Sequence, residues 1–99
     1  MPFTVKIETE AEQDIQHGIN WYNEQQSGLG RAFHAEVKQH FEKLRMNPFY
    51  QVRYDDIHCL PLKRFPFMIY YTIQEEQQVV TVRAVMNTFR SPRIWESRR

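Results

Sequence analysis

Apolar and polar residues change their period twice along this chain. Between Phe3 and Ile7 they alternate, which predicts a first short strand. A period near 3.6 follows. Ala11, Ile15, Gly18, Ile19 and Tyr22 fall on one face of a helix expected over about residues 10–26. Thr9-Glu10-Ala11-Glu12 reads as a capping box, with Thr9 as the cap and Glu12 reaching back. Ser27-Gly28 breaks that helix, and Gly28 and Gly30 mark the turn. Leu29, Phe33, Val37, Phe41 and Leu44 define a second helical face over about residues 29–46. Asn47-Pro48 stops it, because a residue before proline is pushed out of helical geometry. Two helices joined by so short a turn form an antiparallel hairpin.

The period then drops to two. Strands are expected over about residues 52–60, 67–74 and 78–87, with Glu75-Glu76-Gln77 turning the last pair. Strict alternation puts Val80, Val82, Ala84 and Met86 on one face with Phe67, Ile69, Tyr71 and Ile73, toward the helices. Met68, Tyr70, Thr72, Thr81, Arg83, Val85 and Asn87 take the other. A buried arginine is expensive, so Arg83 marks that second face as open. Residues 91–99 have room for one helical turn. The predicted order is β-α-α-β-β-β. The class is α+β: an N-terminal strand and a helical hairpin packed on a mostly antiparallel sheet of about four strands. One domain spans residues 1–99.

Composition narrows the chemistry. The single cysteine, Cys59, excludes an internal disulfide and suits a reducing, cytoplasmic compartment. There is no apolar run of membrane-spanning length, and the N-terminus does not resemble a signal peptide. Thirteen basic and twelve acidic residues nearly cancel. Their distribution does not: residues 1–50 are net acidic, and residues 51–99 are net basic, mostly through arginine. Arginine suits bidentate contacts with phosphate or carboxylate, so an anionic partner is expected.

The four histidines lack zinc-ligand spacing, so no metal site is expected. No glycine-rich phosphate loop exists, and no cofactor is implied. His58 and Cys59 are strand neighbours and point to opposite faces, which leaves Cys59 as a small core residue. Metal-free RNA cleavage would need one group to take the 2′-hydroxyl proton and another to protonate the leaving oxygen. The residues available are Lys63, Arg83 and Tyr70, with Tyr71 beside the last. A binding role for the basic surface asks less of them. It would use Arg64, Arg83, Asn87, Arg90, Arg93 and Trp95.

Several segments, in this order, resemble the RelE/ParE superfamily of type II toxins. They are the strand and capped helix VKIETEAEQDIQHGINWYNEQQSGLGRAF, the helix end LRMNP, the run KRFPFMIYYTI, and VTVRAVMNTFRSPRIWESR after the turn. Members commonly show an arginine before Phe-Pro-Phe, an alternating strand and a late Arg-x-Pro. The resemblance covers nearly the whole chain. It implies a cytoplasmic bacterial toxin, of the kind associated with plasmid stabilisation, held inactive by a cognate antitoxin.

The superfamily divides by target. RelE-like toxins cut messenger RNA on the ribosome with basic residues and a terminal tyrosine. ParE-like toxins inhibit DNA gyrase by contact. The resemblance carries the RNA-cutting arginine of the penultimate strand onto Met68. It carries the preceding basic pair onto Cys59 and Pro61, with Lys63 and Arg64 nearby. The arginine after the last strand falls at Thr88 or Arg90, the terminal tyrosine at Trp95, and a frequent histidine at Asn87. These departures favour the ParE-like side. A RelE-like ribosome-dependent endonuclease and a degenerate, non-toxic member are the alternatives.

Overall fold

The computed structural model describes residues 2–50, 52–54 and 56–88. Strand β1 (Thr4–Ile7) leads into helices α1 (Thr9–Gln25) and α2 (Leu29–Met46). Strands β2 (Val52–Tyr54), β3 (Ile57–Pro61), β4 (Phe67–Gln74) and β5 (Val79–Asn87) follow. The sheet order is β1-β5-β4-β3-β2. Only β1–β5 is parallel; the other pairings are antiparallel. The expected architecture is present, with the helical hairpin on one face of the sheet. The segment read as one strand over 52–60 is a tight antiparallel pair, Val52 opposite His58, which makes the sheet five-stranded. The tail 91–99 lies outside the described residues.

Helix α1 starts one residue before the expected position. Its cap is Glu8, in extended geometry and without a side-chain cap bond, and Thr9 is already helical. The Thr9 capping box therefore does not form. Glu8 is engaged by Arg83 instead. Glu10 and Glu12 still favour the helix start through the dipole. Gly28 takes a φ of 89°, a left-handed position open to glycine, and lets the chain reverse into α2. Gly30, expected in the turn, is inside α2. A Cβ there would run into the Ile19 carbonyl of α1, so this glycine sets the helix–helix approach.

The core between helices and sheet is largely aromatic. Phe33 of α2 is fully buried, with ring centroids 5.3 Å from Tyr22, 5.4 Å from Phe65 and 4.8 Å from Phe67. Val37, Leu44, Ile69, Tyr71, Val80 and Val82 complete its floor. Phe41 packs against this core and is only partly buried.

A β-bulge overturns half of the expected facial pattern. Tyr71 pairs with Val82 but Tyr70 pairs with Ala84, so Arg83 is an extra residue on β5. Beyond it the parity of β5 reverses. Val85, expected on the open face, enters the helix-side core. Ala84 and Met86, expected to face the helices, join Ile57 and Tyr70 in a second buried cluster on the other face. That face is therefore not open at its centre.

Candidate functional site

The bulge also positions Arg83. Strand β1 ends opposite Val82, and the Glu8 N–H donates to the Val82 carbonyl. Arg83, next in line, ion-pairs with the Glu8 carboxylate at the head of α1. Both side chains keep substantial exposure, 33% and 45%, so the pair adds little stability and leaves the guanidinium reachable.

Past the end of β1, β5 stays paired with β4 on one side and has no strand on the other. The Val85 N–H donates instead to Asp14 Oδ2 of α1 at 3.0 Å. Beside this contact lies a cleft of about 430 Å³ lined by Asp14, His17, Gly18 and Trp21 from α1 and by Phe67, Val85, Met86 and Asn87 from the sheet. Trp21 stands 54% exposed at this cleft. Asn87 was expected beside Arg83 on the open face; the parity change turns it to the helix side, into the cleft. Asp14, His17 and Trp21 escaped the sequence reading. Their spacing of three and four residues was the available signal, since it places them on one helix face.

Lys63 and Arg64 lie in the bend between β3 and β4, held by a carboxylate from α2. Glu36, a buried side chain, accepts the Lys63 N–H at 2.6 Å and the Arg64 N–H at 3.0 Å on one oxygen. The Arg64 guanidinium lies 3.3 Å from its other oxygen. Burial pushes the Glu36 carboxyl upward, but the Arg64 and Lys63 N–H groups and the His40 and Arg64 charges outweigh it. The group is held below the usual carboxylate range. The Arg64 guanidinium also lies over the Phe65 ring, 5.5 Å from its centroid. The Arg-Phe-Pro-Phe run thus has a structural task here. Phe65 and Phe67 fill the aromatic core, and the Pro66 carbonyl accepts from Thr88.

Tyr70 sits on the face away from the helices. Tyr71, opposite in direction, is fully buried, and its hydroxyl donates to the Pro48 carbonyl at 2.7 Å. Burial drives its phenol well above the ordinary range, so it is a structural anchor and a poor proton source. His58 stacks on it at 5.4 Å and bonds the Tyr50 carbonyl through Nδ1 at 2.8 Å. Tyr71→Phe leaves the buried Pro48 carbonyl without this donor. It should cost roughly 1–2 kcal/mol in urea denaturation; an unchanged midpoint would contradict the anchor.

The fold therefore spreads the candidates out. Lys63 and Arg64 are on the α2 side, Tyr70 on the far face, Arg83 at the head of α1, and Asn87 in the α1 cleft. Arg83 and Asn87 are four residues apart on one strand, roughly 13 Å. Arg90, Arg93 and Trp95 lie outside the described residues. Among the described residues no group of His, Cys, Asp and Glu could hold a metal ion, and no helix is long and apolar enough to cross a membrane.

The family described as the ParE toxin of the type II toxin–antitoxin system, parDE, matches residues 5–92. The chain belongs to this ParE toxin family. No curated protein matches it significantly. Among solved structures, this ParE-family chain is similar to the chromosomal ParDE system of P. aeruginosa. The TM-score is 0.76 at 11% identity, covering 86% of this chain and 95% of that one. It is also similar to the RelBE2 toxin–antitoxin complex of Mycobacterium tuberculosis, with a TM-score of 0.62, 21% identity and 88% and 99% coverage. The intact E. coli RelBE complex gives 0.64 at 15% identity, with 89% and 99% coverage. Identities this low establish a shared fold and leave the target open.

Proposed function

We propose that this ParE-family chain is a toxin that arrests growth by binding an essential target, DNA gyrase being the first candidate. A cognate antitoxin neutralises it. The observation that carries this reading is the dispersal of its charged and phenolic groups. Cleavage of RNA without a metal needs a base, an acid and a cation around one phosphate. Here Lys63, Tyr70 and Arg83 project from three separate parts of the fold, and Tyr71 is sealed in the core. Binding by contact needs only a surface. The cleft with the exposed Trp21, the half-exposed Arg83 and the basic α2 side supply both aromatic and cationic anchors.

The antitoxin part is supported by relatives solved as toxin–antitoxin complexes. An acidic segment that folds on binding would suit the basic half of the chain. The test is induced expression with and without the product of the adjacent gene. The chain alone should arrest growth, co-expression should release it, and the two products should co-purify at micromolar concentration. No arrest, with no co-purifying partner, would overturn the reading.

A further inference from the structure

His40 of α2 is 2% exposed, and its ring Nδ1 lies 2.8 Å from the Glu36 carbonyl oxygen. A carbonyl only accepts, so Nδ1 carries the hydrogen. The remaining nitrogen, Nε2, has no hydrogen-bond partner among the described residues. Buried polar atoms almost always have a partner. The ring lines a pocket of about 310 Å³ between α2 and the β3–β4 bend, with Glu36, Lys43, Lys63 and Arg64 around it.

The charges there are unevenly committed. Glu36 is engaged by two backbone N–H groups and the Arg64 guanidinium. The Lys43 and Lys63 ammonium groups have no ion-pair partner among the described residues. Two uncommitted cations and a buried imidazole nitrogen make a site for an oxyanion. We propose that this pocket receives a side-chain carboxylate from an acidic segment of a partner protein, with Nε2 protonated to donate to it. Only the identity of that partner as the antitoxin rests on the reading above.

A carboxylate fits better than a phosphate for two reasons. The bend's Lys63 and Arg64 N–H groups, which could otherwise cradle a phosphate, are taken by Glu36. A dianion would also meet the Glu36 carboxylate as a like charge, where a single carboxylate meets half that repulsion.

The test follows the His40 ring nitrogens by NMR while the chain is titrated with N-acetyl-triglutamate amide or, separately, with inorganic phosphate at matched ionic strength. The peptide should move the His40 Nε2 signal saturably. A Lys43→Ala/Lys63→Ala double variant, altered only at exposed positions, should bind the peptide about tenfold more weakly. An unmoved His40 signal, equal affinity in the double variant, or phosphate acting as strongly as the peptide would overturn the proposal. The site stands if the peptide saturates His40 while the adjacent gene's product fails to co-purify, and only the antitoxin reading then falls. Co-purification with a silent His40 has the opposite meaning.

Discussion

Phe33→Ala should lower the unfolding free energy by about 3–5 kcal/mol, the range for a fully buried aromatic truncated in a core. The upper end is expected, because the hole has stiff walls. Gly18 presents its backbone to the ring, so close that a Cβ there would lie 2.6 Å from the Phe33 edge. The helix hairpin is fixed by the Gly30 approach, so the backbone cannot settle inward. Tyr22, Phe65 and Phe67 would each lose an aromatic neighbour. Phe41, one of the same apolar stripe, is partly exposed, and its truncation should cost roughly 1 kcal/mol. Guanidinium denaturation of both variants checks this. Equal losses would mean the α2 face is rotated from the one described.

Glu36→Ala is the second large effect, at about 3 kcal/mol. The ion pair with Arg64 contributes a minor part, since the Arg64 side chain is 65% exposed and solvent screens it. The larger part is two backbone N–H groups that lose a charged acceptor. The same carboxylate predicts a pH dependence. Its folded-state pKa lies below its ordinary value of 4.5. The stability it contributes is therefore complete above that value and is lost as pH falls through the lower folded value. Stability of the native chain should drop on acidification in this window. Glu36→Gln, which keeps an acceptor oxygen and removes the charge, should flatten that drop. An equal acid slope in the two proteins would show that Glu36 is not the group responsible.

These residues also show where the sequence is readable. Both helices were legible, because Phe33, Val37 and Leu44 repeat at helical spacing and their burial needs no long-range information. The core face of β4 was legible for the same reason, through Phe67, Ile69 and Tyr71. The far end of β5 was not. Alternation assumes an unbroken ladder, and one extra residue at Arg83 reverses every later side chain. Nothing in VTVRAVMN announces the bulge, since Val and Ala suit either face. The Thr9 cap failed through competition. Glu8 meets both the backbone of β5 and the Arg83 side chain, a pairing decided by the parallel β1–β5 contact across most of the chain.

The candidate sites divide similarly. Arginine content signals charge and carries no information about enclosure. Glu36 and His40 look like solvent-facing helix residues until the β3–β4 bend folds over them. Asp14, His17 and Trp21 form a surface only when β5 runs past them. The arginine-rich stretch that begins at Arg90 is a matter of composition, and the proposed contacts of Arg90, Arg93 and Trp95 rest on sequence.

Action by contact and RNA cleavage leave different marks in the cell. The most direct measurement maps the 5′ ends of transcripts after the chain is induced without its antitoxin, with DNA breaks scored in the same cells. Action by contact predicts growth arrest with uncut transcripts and accumulating DNA breaks. Transcripts cut within translated codons, with cutting abolished by Lys63→Ala, Arg83→Ala or Tyr70→Phe, would contradict it.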